Sequence, residues 1–140
     1  GYSSAASDVY KRQGVPCIAE CGGFMYLLDA IGSYPMAGAI PGRSFDAGKL
    51  TRFGYLTLTA QRDNLLCRAG ESIAAHEFHR WDADDPGEAF LAEKPSGRRW
   101  PCVHATGTLY AGYPHFHFYA NPVFAANFLA ACRKEKHRHA

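Results

Sequence analysis

One stretch constrains this 140-residue chain more than any other: Pro16-Cys17-Ile18-Ala19-Glu20-Cys21-Gly22-Gly23-Phe24-Met25-Tyr26-Leu27-Leu28. Residues 17–20 are few and mostly apolar, and the proline before them suits a strand start. From Phe24 the apolar residues Phe24, Leu27, Leu28 and Ile31 recur at helical spacing, which predicts a helix closed by Gly32 as its C-cap. Between the two halves lies small-x-Cys-x-Gly, formed by Ala19, Glu20, Cys21, Gly22 and Gly23. This is the spacing of a nucleophile elbow with Cys in the place often held by Ser.

The residue types fit that chemistry. A side chain at the tip of a tight strand-to-helix turn sits on strained backbone, and Ala19 and Gly23 are small enough to leave room for the turn. The helix would aim its free N–H groups and positive dipole end at the sulfur, favouring thiolate. The Gly22 N–H would be placed to bind a developing oxyanion. The same short pattern also reads as a buried structural cysteine ahead of a glycine-containing loop.

Such a thiol needs a partner, because at its reference pKa of about 8.5 it is mostly protonated at neutral pH. The candidates are His76, His79, His104, His115 and His117. In an extended segment His115 and His117 share one face, while His76 and Phe78 face away from Glu77 and His79. His104 reads as a core histidine. Glu20, beside the nucleophile, could orient a catalytic group or make a structural hydrogen bond. A zinc reading of His76, His79, His115 and His117 with Cys17 and Cys21 is disfavoured, since a cysteine inside an elbow is poorly placed as a ligand. No metal is expected.

The rest of the chain reads as one domain. At 47% hydrophobic and 20% charged it is ordinary globular composition, and a net charge of +2 makes no case for nucleic acid or a membrane. No run approaches the roughly 18 apolar residues of a span, and no signal-peptide pattern appears. Five scattered cysteines suit neither a disulfide framework nor a zinc knuckle, so a reduced, cytoplasmic setting is expected. Residues 35–44 read as a Gly/Pro-rich loop with a short strand at 36–39. Strands are predicted over 49–60, 72–81, 89–94, 100–106 and 108–111, with a short buried segment at 65–67. The acidic stretch 82–88 lacks the glycine and glutamate placement of a calcium loop and reads as a solvated turn. A final helix is predicted over 122–134, capped by Asn121, with Phe124, Phe128 and Leu129 facing the core and a basic, solvated end at 133–139.

Three motifs carry a resemblance. The 16–27 stretch resembles the nucleophile motif of cobyrinate a,c-diamide synthases, cobalamin-pathway enzymes with a C-terminal class I glutamine amidotransferase domain of the CobB/CobQ-like type. Ala75-His76-Glu77-Phe78-His79 resembles that family's Gly-His-Glu-Phe-His segment. Gly112-Tyr113-Pro114-His115-Phe116-His117-Phe118, with Asn121-Pro122, resembles its Ser-Tyr-x-His-x-His-Phe segment and following Asn-Pro. Ala75 and Gly112 depart from the family pattern, each exchanging one small residue for another. The three motifs occur in order across residues 14–133.

The resemblance implies an α/β fold: a partial, flavodoxin-like sheet, mostly parallel, with antiparallel hairpins over 49–111 and flanking helices. It matches His115 to the catalytic histidine, with His117 as the second choice, and it places His76, Glu77 and His79 on the substrate side without a settled role. It implies glutamine as ammonia donor, and cobyrinic acid as acceptor on a synthetase domain that uses ATP and Mg2+. Hydrogenobyrinic acid or a related corrin acid is an alternative acceptor. Nothing over 14–140 resembles a phosphate-binding loop, so ATP belongs outside this segment. Residues 1–13 look like a translated sequencing adapter, expected to be disordered. The domain would then be residues 14–140, lacking the synthetase domain, the first strands of the sheet and the loop giving a second oxyanion N–H. A truncated, inactive fragment is the remaining alternative.

Overall fold

The structure is a computed structural model that describes residues 14–138. The adapter reading of 1–13 and the last residues of the basic tail lie outside the described residues. The strand expected at the start is present as β1 (Cys17–Glu20), followed at once by helix α1 (Gly22–Leu27). β2 (Leu28–Ile31), β3 (Tyr34–Pro35) and β4 (Ile40–Asp46) follow, then β5 (Arg52–Ala60), β6 (Ser72–His79) and β7 (Trp81–Ala83). The second half holds β8 (Phe90–Glu93), β9 (Arg99–Cys102), β10 (His104–Ala105), β11 (Leu109–Gly112), β12 (His115–Phe116), a 3-10 turn (Phe118–Ala120) and helix α2 (Pro122–Arg138).

These strands form three sheets, ordered β1-β11-β10, β12-β6-β5-β8-β9 and β3-β2-β4-β7. The fold is mixed α/β, as expected, and the expected mostly parallel sheet is borne out only in part. Only β1–β11 and β2–β4 pair in parallel among the described strands. The other pairs are antiparallel. Short turns account for three of the antiparallel pairs, β2–β3, β8–β9 and β10–β11, whose connections fall well below the dozen or so residues a parallel crossover usually needs. β8 and β9 are joined by a tight turn through Gly97, where Lys94 and Arg98 exchange a backbone bond.

The first helix is shorter than the apolar spacing predicts. It stops at Leu27, and Leu28 is extended (φ −72, ψ 172). Residues 28–32 bond sideways instead. Met36 N–H reaches Asp29 O (2.8 Å), Gly38 N–H reaches Leu28 O (2.9 Å) and Gly32 N–H reaches Ser44 O (2.7 Å). Gly32 (φ +58) therefore turns β2 into β3 and caps no helix. The 35–44 loop is overturned too. Residues 36–39 form no strand, and Ile40–Asp46 is β4, stitched by Asp29 Oδ2 accepting Gly42 N–H (3.0 Å) and Asp84 Oδ1 accepting Arg43 N–H (2.9 Å).

Two apolar clusters build the core. One joins β5, β6, β8 and β9 to Tyr110 and to Phe124 of α2; the other gathers Ala19, Phe24, Leu28, Ile40, Ala83, Ala111 and Tyr113 around the corner after β1. Helix α2 begins at Pro122 as expected, with Asn121 Oδ1 accepting Val123 N–H at 3.2 Å. Phe124 is buried and Phe128 and Ala131 pack beside it, but Leu129, 52% exposed, does not face the core. The stripe runs 124, 128, 131, and position 129 lies about 100° off it.

Val103 breaks the predicted 100–106 strand into β9 and β10. It is fully buried at φ +72, a strained conformation for a β-branched residue. Its N–H bonds Pro86 O (2.7 Å) and its carbonyl accepts from Ala89 (2.8 Å). A Cβ on Gly87 (φ +90) would fall 2.3 Å from the Val103 carbonyl carbon, whereas Gly97 (φ +91) has nothing within 4 Å. Gly97→Ala should cost about 1 kcal/mol from φ alone. Gly87→Ala should cost about 2 kcal/mol beyond that from the backbone clash. Urea denaturation of the two variants checks the difference, and equal losses would contradict the close approach.

Candidate active site

The sequence folds locally into the corner that its residue types require. Cys21 has φ 51 and ψ −106, a left-handed strained conformation at the junction of β1 and α1. Its carbonyl accepts the Met25 N–H (3.0 Å), which starts the helix, and its N–H donates to Gly112 O (2.8 Å) at the end of β11. A Cβ on Gly23 would sit 3.6 Å from the Ala19 methyl, ordinary contact distance, so the two small residues pack side by side under the turn. The parallel register Glu20↔Gly112 makes β1 and β11 end together. Side chains delivered just after either strand meet at this edge, where open α/β sheets place their chemistry.

His115 arrives by that route, three residues past Gly112. The intervening turn is anchored on both sides. The buried Tyr110 hydroxyl donates to Pro114 O (3.2 Å), and the Tyr113 hydroxyl meets Ser44 Oγ at 2.9 Å while its ring stacks on His79 at 4.0 Å. Beyond it, Phe116 packs edge-on against Tyr110 at 5.0 Å. His115 Nδ1 then lies 3.1 Å from Glu20 Oε2. Burial pushes the Glu20 carboxyl up from its ordinary value; the His115 charge and the hydrogen-bonding Phe116 amide pull it back. With Nδ1 donating to a carboxylate, the histidine keeps Nε2 as its basic nitrogen.

The Cys21 thiol behaves differently from the sequence expectation. Its pKa is raised, chiefly by burial, and further by the charges of Glu77 and Glu20; the Gly22 N–H bonded to it acts the other way. Burial is the largest of these influences. Two other thiols are held higher still by burial, Cys67 at about 11 and Cys102 at about 12.

The remaining predicted residues separate into three places. His76 lies directly across from His115 in the β12–β6 pairing, its ring 5.3 Å from Tyr55. An outer groove is lined by Tyr55, Ala74, His76, His115, Phe116 and His117. His117 caps the 3-10 turn, its Nδ1 accepting Tyr119 N–H at 3.3 Å. Glu77 and His79 occupy the opposite face of β6, as the alternation predicts, and are buried there. His104 is no core histidine: it is half-buried, with Nε2 donating to Asp85 O (2.9 Å). Among the described residues no three His, Cys, Asp or Glu side chains gather as a metal cage. None of the described helices is long and apolar enough to cross a membrane. Sequence reasoning missed Ser44, the partner of Tyr113. It sits in a stretch that reads as loop, and no local signal marks it.

A cysteine held at a strand-to-helix corner, beside a parallel neighbour that delivers a histidine, defines the class: a glutamine amidotransferase domain. Residues 6–123 match the CobB/CobQ-like glutamine amidotransferase domain, and the chain belongs to that family. It is 38% identical over 133 residues to the cobyrinate a,c-diamide synthase of Salmonella typhimurium, covering 88% of this chain and 29% of that relative. It is 37% identical over 130 residues to the enzyme of that name from Synechococcus sp., covering 87% and 28%. For Listeria monocytogenes the figures are 34% over 132 residues, 88% and 29%. The chain thus spans less than a third of the length of these relatives.

The raised thiol gives a direct readout. Iodoacetamide alkylation of Cys21, followed by peptide mapping, should have its midpoint above the free-cysteine value of about 8.5. The rate should still climb where a free thiol has levelled off, because the protonated form is favoured until the pH passes the raised pKa. A midpoint at or below the free value would contradict burial as the dominant influence on this sulfur.

Proposed function

We propose that this chain is the glutamine-hydrolysing part of a cobyrinate a,c-diamide synthase. The reading is carried by one observation: the Glu20–His115 pair, 3.1 Å apart, at the strand edge that holds Cys21 on its corner. Cys21 sulfur attacks the side-chain amide carbon of glutamine. His115 Nε2 takes the thiol proton as the C–S bond forms and returns it to the departing nitrogen, so that ammonia leaves and a thioester remains. Water, deprotonated by the same nitrogen, then releases glutamate and restores the thiol. The Gly22 N–H holds the oxyanion in both steps. Glu20 is a positioning residue: it fixes the tautomer of His115 and stabilises the imidazolium as it forms.

A thiol raised by burial suits this scheme, because it needs the adjacent base and is a stronger nucleophile once deprotonated. In the whole protein the ammonia would be used by the synthetase part, with ATP and Mg2+, to amidate the a and c carboxylates of cobyrinic acid. The setting is cytoplasmic; the five free thiols accord with it.

Glutamate release by the 140-residue chain tests the proposal. Cys21→Ala should abolish it. His115→Ala should lower kcat by roughly 10²–10⁴-fold, the range of a lost acid–base group. Glu20→Gln should lower kcat by about 10²-fold at little cost in KM and shift the pH profile, as expected for a misplaced base. His117→Ala should change the rate by only a few-fold. Equal glutamate release by the parent chain and Cys21→Ala would overturn the proposal, and a larger loss from His117→Ala than from His115→Ala would reassign the base.

A further inference from the structure

The Ser44 hydroxyl lies where the two halves of the site meet. Ser44 belongs to β4, outside the three sequence motifs, and it is fully buried. Its Oγ touches three groups: Met25 Sδ at 3.0 Å, Asp82 O at 3.0 Å and the Tyr113 hydroxyl at 2.9 Å. The proton directions follow from the chemistry. A carbonyl and a thioether only accept, so the single Ser44 proton is directed to those two. The Tyr113 hydroxyl then donates to Ser44 Oγ. Burial pushes that phenol up to about 12, so it keeps its proton at neutral pH.

Two of these contacts lead to the reacting groups. Met25 stands one helical turn after Cys21, and its N–H bonds the Cys21 carbonyl at 3.0 Å. Tyr113 follows Gly112, whose carbonyl holds the Cys21 N–H, and it precedes Pro114 and His115. The link from Tyr113 to His115 is stiff. Proline fixes its own φ and restricts the residue before it, so the direction of Tyr113 is passed on to His115. The Tyr113 ring is gripped as well, flat on His79 at 4.0 Å and edge-on to Phe24 at 5.2 Å. The Cys21–Gly112 bond alone is one point of attachment, about which the corner and the turn could pivot. Ser44 supplies a second. We propose that Ser44 is a positioning residue for the glutamine reaction: its hydroxyl, bridging Met25 and Tyr113, fixes how Cys21 and His115 face each other. This role rests on the glutaminase reading of that pair. Ser44 is set back behind the reacting groups, so its loss acts on kcat and leaves KM alone.

Turnover and ring spectroscopy of Ser44→Ala and Tyr113→Phe test this role, since each variant removes the bond from one side. Glutamate release should show kcat lowered about tenfold in each, with KM unchanged. The double variant should be no slower than the slower single one, because a single shared contact is lost. Long-range 1H–15N spectra should show one set of His115 ring signals in the parent chain and exchange-averaged signals in the variants. Gly97→Ala, destabilised at a turn remote from the corner, controls for stability and should keep the parent kcat. If Ser44→Ala fails to fold by circular dichroism, Tyr113→Phe, which retains both ring contacts, carries the comparison. An unchanged kcat in the folded variants, unchanged His115 signals, additive losses in the double variant, or an equal loss in Gly97→Ala overturns the role. Absence of Cys21-dependent turnover by the parent chain would remove the glutaminase reading, and the His115 spectra would then decide by themselves whether Ser44 holds the ring.

Discussion

The hydrogen bond from the Cys21 N–H to Gly112 O, 2.8 Å long, is the constraint from which the rest of the site follows. It closes the parallel β1–β11 pairing at the residue where the chain must turn, so the strained Cys21 conformation is held by a ladder that runs back to Cys17. It also fixes the end of β11, and with it the starting point of the turn that carries His115. Val103 packs behind this junction: a Cβ on Gly112 would stand 2.9 Å from its Cγ2, which leaves little room for the serine found at this place in the related motif. Two strained residues, Cys21 and Val103, thus lie on either side of one short strand, and the buried cores around them supply the energy that keeps both in place.

Electrostatics at the corner run against the simplest view of an activated cysteine. The half-buried sulfur packs against one apolar cluster and feels the charges of Glu77 and Glu20, and each influence favours the protonated thiol. At the same strand edge the fold sets Glu20 against His115, 3.1 Å apart, where burial raises the carboxyl and the imidazole charge lowers it.

Much of this was legible in the sequence, and the parts that were not have identifiable causes. β1, the corner and the start of α2 are set by neighbours within four residues, through Pro16, the small residues around Cys21 and the Asn121-Pro122 cap, so local rules found them. That Glu77 and His79 share the face opposite His76 and Phe78 followed from strand alternation; that this face is the inward one did not. The helix expected to run to Gly32 failed because residues 28–32 find backbone partners at 36–44, which no local pattern reveals. β4 was hidden by Pro41 and Gly42, whose strand is secured by Asp29 and Asp84 from distant positions. The parallel bias came from family likeness, whereas the short connections of the second half dictate antiparallel pairing. The Glu20–His115 contact joins residues 95 positions apart, and only the β1–β11 register brings them together.

The central claim is that one sulfur, at the corner and served by His115, reacts with glutamine. Covalent labelling of the chain with a diazoketone analogue of glutamine, located by mass spectrometry of peptides, tests it most directly. The account predicts a single adduct on Cys21, prevented by excess glutamine and formed far more slowly in His115→Ala. An adduct on Cys17 or Cys132 instead, or labelling of Cys21 that glutamine does not slow, would contradict it.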